Sequence, residues 1–429
     1  MTSLIKERLS FTTQGLAVFR ICLGIVAFLR ALSFFPHREL LFSDSGLLPH
    51  SAWLQVSDSY NHSLFSLSDG ILFVTVLYLL RLGLSLLFTV GWKTRWVTPA
   101  LFILEVSFHH RNWFSDLVDS VLIIVFIFLC IFFPVGEQYS LEKGKSNPPV
   151  RKYFSGWNIV LLILLFFMYF QAFMGKLNPS WLEGDALLYY FRDKNLLLPF
   201  GNLFAGYPEF LRILNYLVIF LEGPFALFIP LSLLFFPRLR FPVAGVFLTF
   251  HLLTVLSFQL GFVPWICAVT WIPFLFLTGD KAKIIPGRTH RYIAAFFAVI
   301  FFLLNLNHCF RPPFRLPGID EFIKTAGLYH RFRMFRDPLK EFPVVQVFGE
   351  DIRGKRLILL SSDKLDRSTR AAYFGGLMNL RTRKIYLQYF CREGMTKTGL
   401  EIDFFSMSGG ASRKEIHPMA CPLHQNLKN

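Results

Sequence analysis

The sequence predicts an all-α polytopic membrane protein of about nine transmembrane helices, with a small C-terminal α+β domain on the extracytoplasmic side. Three observations predict it. Hydrophobic residues make up 54% of the chain and charged residues only 17%, where a soluble domain carries about 25% charged residues. The apolar residues, including 52 phenylalanines, fall in blocks, and several reach the roughly 18 to 20 residues that cross a bilayer core. From Phe310 onward charges become frequent and no run could span. The expected division is therefore 1–309 for the membrane part and 310–429 for the small domain.

Nine spans are expected, at 15–35, 71–90, 96–108, 117–133, 156–173, 213–236, 241–260, 262–278 and 292–308. The third and fourth are short and would tilt or thin the bilayer. The seventh and eighth form one apolar stretch too long for a single crossing, so the division is placed near Gly261 and Pro264. The basic N-terminal stretch with Lys6 and Arg8, followed by a long apolar run, reads as a retained signal anchor.

Charge orients this threading. With a cytoplasmic N-terminus, the inner segments carry 14 basic residues, namely Lys6, Arg8, Lys93, Arg95, Lys143, Lys145, Arg151, Lys152, Arg238, Arg240, Lys281, Lys283, Arg288 and Arg291. The outer loops carry 6, namely Arg38, Arg111, Lys176, Arg192, Lys194 and Arg212. The bias follows the positive-inside rule and puts the C-terminal region outside the cytoplasm. The net charge of +16 is thereby explained by membrane orientation, and no nucleic-acid partner is expected.

In the C-terminal region, Val344 to Phe348 and Lys355 to Leu360 flank a polar turn with Gly349 and Gly354, a β-hairpin pattern. Asp366 to Asn379 and Thr382 to Arg392 read as helical, and Leu400 to Phe404 alternates as a half-buried strand does. Cys309, Cys391 and Cys421 leave room for one disulfide and one free thiol, with the pairing open. Cys22, Cys130 and Cys267 lie in apolar runs and pack as small hydrophobes.

Ionisable side chains within spans are costly and mark function or internal pairing. The candidates are Arg20, Arg30, Arg81, Glu105, Asp119, Glu222 and His251, with Lys176, His109, His110 and Arg111 just past span ends. A lysine in apolar surroundings can serve as a neutral base; the competing reading is an interfacial lysine that snorkels to headgroups. His251 could orient a substrate or be held structurally by another helix. Arg20 is expected to pair with Glu105, Asp119 or Glu222, because an unpaired buried charge costs several kcal/mol. Adjacent His109 and His110 point to different sides of a helix, and no metal site is expected. There is no phosphate-binding glycine loop and no GxSxG elbow.

Taken in order, the motifs resemble a known family. LAVFR (16–20) opens the first span, Arg111-Asn112 follows the third, PVGEQYSLE (134–142) the fourth and KLNPSWLEG (176–184) the fifth. His251 sits in the seventh span, and GLYHRFRMF (327–335) follows the last. The chain resembles the HTTM (horizontally transferred transmembrane) family, which includes vitamin K-dependent γ-carboxylase. That resemblance implies Lys176 as the base that deprotonates a reduced naphthoquinone of the vitamin K type, His251 as a substrate-site histidine, and Asp119 where the carboxylase has a histidine. It also implies Trp181, Asp185, Arg111 and Asn112 around the substrate. Carboxylation is in doubt because of the Asp119 exchange and the small C-terminal region, about 120 residues against the carboxylase's large luminal domain; the quinol-oxidising half of the chemistry is the better expectation. The alternative is a non-enzymatic module that binds a lipid or isoprenoid and helps a secreted or membrane protein partner mature or be exported. Convergence of Lys176, His251 and Asp119 on one lipid-open cavity would favour the enzyme.

Overall fold

In the computed structural model the described residues are 3–57, 62–112, 118–143, 148–193, 196–226, 235–276, 284–286, 291–309, 318–329, 341–351, 353–361, 377, 383–391, 395–406 and 411–421. The chain is mostly helical. Its long helices are α1 (Thr13–Phe34), α2 (Ile71–Val90), α3 (Thr94–Arg111), α4 (Val118–Phe132), α5 (Gly156–Lys176), α6 (Pro208–Phe220), α7 (Arg240–Ser257) and α10 (Arg291–Asn307), with the short α8 (Val263–Val269) and α9 (Ile272–Leu275) between the last two. Four helical stretches are long and apolar enough to cross a membrane: Thr13–Phe42, Ile71–Val90, Gly156–Lys176 and Arg240–Ser257. Shorter apolar helices occupy Val118–Phe132, Val263–Leu275 and Tyr292–Asn307.

Local sequence sets the helix ends. Thr12 caps α1 by accepting from Gly15 N at 2.8 Å. Ser155 and Asn158 form a reciprocal capping box at the start of α5. The stretch after α7 breaks where expected: Gly261 takes φ +67, a left-handed conformation that glycine adopts without a Cβ clash. Helix α3 runs longer than its apolar core of 96–108, because polar flanks that end a hydropathy run do not end a helix.

Three short strands gather the starts of three helices at one end of the bundle. Strand β1 (Phe11–Thr12) pairs antiparallel with β2 (Lys152–Phe154), which pairs parallel with β3 (Ile284–Pro286). Helices α1, α5 and α10 therefore start from the same end, and Lys176 lies at the far one. Arg240 fastens this end by donating to Ser10 O at 2.8 Å and Pro273 O at 3.3 Å. Helix α4 runs through the middle, buried along its whole length from Leu122 to Cys130.

The C-terminal region forms a four-stranded sheet in the order β5-β4-β6-β7, from β4 (Glu341–Asp351), β5 (Arg356–Ser361), β6 (Met395–Ser406) and β7 (Ala411–Ala420). All three pairings are antiparallel. The expected hairpin is present, with its turn slightly later: Asp351 Oδ1 accepts from Arg353 N and Lys355 N, both at 2.8 Å, whereas Gly349 is paired within the strands. Helix α11 (Arg383–Tyr389) falls in the expected 382–392. The expected helix 366–379, apart from Leu377, which is helical, and the boundary at residue 310 fall on residues outside the described set. Val345, Val347, Tyr386, Leu387, Leu400 and Ile402 share one apolar cluster with Phe34, Trp53, Phe65, Tyr78 and Phe108. The sheet thus packs on the bundle end that carries Arg111.

Candidate functional site

Helix α5 presents Tyr169, Ala172 and Lys176 along one buried face, spaced three and four residues apart as one helix side requires. The helix stops at Lys176; Asn178 then caps the short helix Pro179–Leu182, with Pro179 at its first turn. Lys176 has no solvent exposure, so it does not snorkel. Its Nζ donates to Glu222 Oε2 and stands 5.0 Å from the centre of the Trp181 ring, a cation–π distance. Trp181 is itself buried, inside the bundle end rather than at the surface. Asn215 pins it by donating to Trp181 O at 2.7 Å while accepting from Leu187 N at 3.3 Å.

Glu222 reaches Lys176 through a change of helical pitch. Residues Leu221–Phe225 continue α6 as a π-helix containing Pro224. Such wide turns insert a residue, re-aim side chains and recur at functional sites. Gly223 permits the close approach: a Cβ there would lie 2.4 Å from the Phe173 ring.

A second polar group lies two turns below Lys176. Trp271 Nε1 donates to Tyr169 Oη at 2.6 Å, and Tyr169 Oη stands 2.7 Å from His251 Nε2 on α7. The Trp271 ring is stacked on Phe247 with centroids 4.5 Å apart. Tyr169, Glu222 and His251 line one chamber of about 40 Å³, with Leu122 and Met168 on its apolar side. Beside it runs an apolar groove of about 550 Å³ between α6 and α7, walled by Leu214, Leu217, Val246 and Leu253. Leu217 and Leu253 are 46% and 47% exposed, so the groove opens on the outside of the bundle. Phe250 and Thr254 line both spaces.

The expected site residues separate into four places. Lys176, His251 and Trp181 belong to the chamber or its immediate backing. Asp119 does not reach it: its Oδ1 lies 3.4 Å from Arg30 Nε, and Ser120 accepts from Arg30 Nη2. That pair adjoins Arg81, which donates to Glu105 at 2.7 and 2.5 Å. Arg111 and Asn112 tie the helix end to the segment after α1, donating to Leu48 O at 2.7 Å and Leu41 O at 2.8 Å. Tyr386 donates to Asn112 Oδ1 at 3.4 Å; burial pushes its phenol well above the usual range and keeps it a donor. Asp185 lies apart, half-buried and 3.5 Å from Arg212.

The expected partner of Arg20 is corrected. Instead of a carboxylate, its guanidinium donates to the carbonyls of Val135 at 2.7 Å and Tyr139 at 2.6 Å. Glu105, Asp119 and Glu222 each take a different cation, because those cations lie on helices that pack directly against them. His110 stands 2.7 Å from His62 O and 3.1 Å from Lys324 O, a bridge between segments. Among the described residues no three His, Cys, Asp or Glu side chains gather as a metal site. Tyr169 and Trp271 went unnoticed in the sequence; the spacing of Tyr169 from Lys176, seven residues along one helix face, was the available signal.

No curated protein and no solved structure matches the chain. The model of the HTTM domain matches residues 10–280, from β1 through the end of α9. That stretch covers more than half of the sequence and contains every residue of the chamber and groove: the chain belongs to the HTTM family.

Proposed function

We propose that this membrane protein takes a lipid-soluble molecule with a protic head from the bilayer and acts on that head, in the finer reading as a quinol-oxidising enzyme with Lys176 as base. The observation that carries the proposal is the junction at Phe250 and Thr254, where an outward-opening apolar groove meets a chamber lined by a buried carboxyl group and an imidazole, with Lys176 held behind the carboxyl group. Ligand sites combine apolar walls with a few convergent polar groups, in volumes of about 300 to 1,000 Å³, and the groove falls in that range. The chamber has room for about three waters. A naphthoquinol ring would therefore rest in the groove, with only its hydroxyl turned toward Glu222 and His251. The residues present fit such a molecule: apolar walls for an isoprenoid tail, and a proton acceptor where the head would stop.

The quinol, when bound, supplies the electrons that oxygen removes. The chain's part is proton handling. Lys176 Nζ donates to Glu222 Oε2, and in this reading the proton that the head gives up passes to this pair, with Lys176 as the base. Trp181 covers the ammonium and excludes water. Asp119, Arg111, Asn112 and Asp185 act in this reading as parts of the scaffold. The proposed threading is nine crossings with the N-terminus cytoplasmic and the C-terminus outside, and the proposed division is 1–309 and 310–429.

The non-enzymatic reading, a module assisting a secreted or membrane protein partner, draws on the C-terminal sheet. Its edge strand β5 exposes Leu357 and Ile358, and edge strands accept an added strand from a partner. The discriminating experiment is aerobic turnover of a reduced naphthoquinone by purified protein in lipid nanodiscs, with mass analysis for the epoxide. Lys176→Arg keeps the charge and cannot act as a base, so turnover is expected to fall about 100-fold or more. Absence of turnover in the wild type, or equal turnover in the variant, would remove the enzyme reading.

A further inference from the structure

The chamber wall carries an imidazole whose tautomer is set by its neighbours. An indole N–H can only donate, so Tyr169 Oη accepts from Trp271 Nε1 at 2.6 Å. Among the described residues, His251 Nε2 is the remaining hydrogen-bond partner of that oxygen, at 2.7 Å. Were Nε2 to carry the proton, the phenolic O–H would be left buried with no described residue to receive it, and a buried unmade hydrogen bond is costly. The phenol therefore donates to Nε2, and a neutral ring holds its one proton on Nδ1. His251 lines the chamber, and its Nδ1, which no described residue occupies, keeps access to that space.

We infer that His251 serves the chamber as a hydrogen-bond donor through Nδ1–H, and that Tyr169 and Trp271 are the positioning residues that hold it in that form. The inference rests on the proposed ligand reading only for what the donor binds, an oxygen of the head; the tautomer stands on the hydrogen bonds alone. Glu222 on the same wall is an acceptor. One donor and one acceptor in so small a space recognise a hydroxyl, which accepts from Nδ1–H and donates to the carboxylate. The arrangement assigns His251 to orientation, with the proton taken up at the Lys176–Glu222 pair. The stacking of Trp271 on Phe247 fixes the first donor in the series, so the order runs indole, phenol, imidazole, ligand.

The test is nitrogen magnetic resonance of histidine-labelled protein in lipid nanodiscs near neutral pH. Carbonyl-labelled phenylalanine selects histidines that follow phenylalanine, which in this sequence are His109 and His251, and His109→Gln identifies the second without touching the chamber. The expected signal is a protonated Nδ1 and a bare Nε2. A protonated Nε2 in the wild type overturns the inference. In Tyr169→Phe the ring should become a mixture of tautomers; Trp271→Phe, which weakens the same lock, stands in if the first variant does not fold. An unchanged tautomer overturns the positioning roles. For the donor, farnesol is the probe: its binding should shift the Nδ1 signal and weaken about fivefold to tenfold in Tyr169→Phe. Equal binding without a shift overturns the donor role. No farnesol binding at all removes the ligand reading and the donor with it, and leaves the tautomer result to decide Tyr169 and Trp271.

Discussion

Lys176 and Glu222 meet in the interior, both side chains buried. Isolated, each would face a desolvation penalty of several kcal/mol; together they compensate. Breaking the pair should therefore cost more than deleting it. Lys176→Met and Glu222→Gln are each expected to destabilise the fold by about 3–5 kcal/mol. The double variant should cost less than the two added together, by about 1–3 kcal/mol. Unfolding in mixed micelles measures all three; strict additivity would mean that the two side chains do not interact. Single-residue chemistry was half legible in the sequence. The lysine stood out in KLNPSWLEG, and Glu222 and His251 stood out as ionisable groups in apolar runs. Which acid meets which base was not legible, since Lys176 and Glu222 lie 46 residues apart and partner choice depends on which helices touch.

The π-turn that delivers Glu222 joins sequence to site at the level of elements. Apolar periodicity locates a helix from sequence, and among the described residues helix falls within each expected span, four helical stretches being long and apolar enough to cross a membrane. It does not reveal a local change of pitch, and Pro224 alone reads as a kink. It also does not foresee β7, whose segment Ala411–Ala420 mixes basic, acidic and small residues and becomes a strand by pairing with β6. Gly223 is the lever on the π-turn, because any Cβ must displace the Phe173 ring, 2.4 Å away. Gly223→Ala is expected to lower stability by about 1–3 kcal/mol, the usual cost of overpacking. It should also shift the neighbouring Glu222 off Lys176, so quinol turnover or farnesol binding should fall with it. A variant as stable and as active as the wild type would mean that the approach at Gly223 is not tight.

For the whole molecule, the sequence supports an orientation through loop charge, and the C-terminal sheet supports it independently. In the proposed threading fourteen basic residues fall on one set of loops and six on the other, the asymmetry expected of a cytoplasmic N-terminus. In the proposed threading of nine crossings the sheet would lie outside. In this C-terminal region Cys391 and Cys421 form a disulfide between positions 30 residues apart, while Cys309 stays free. One pair and one thiol were legible; the choice between them required the strand register that brings Cys421 N within 2.9 Å of Thr396 O. Disulfides persist in extracytoplasmic compartments and are rare in the cytosol, so the bond is what the proposed threading expects of a sheet on that side. A reporter that is active only outside the cytoplasm, fused after Asn429, is expected to be active, and non-reducing mass mapping should recover the Cys391–Cys421 pair. Replacing both cysteines by serine should destabilise the sheet by about 2–4 kcal/mol, as loss of a loop closure does, and leave the reporter signal unchanged. A reporter active only in the cytoplasm, together with reduced cysteines, would place an even number of crossings before the sheet, and the first division to re-examine would be the one between α7 and α8.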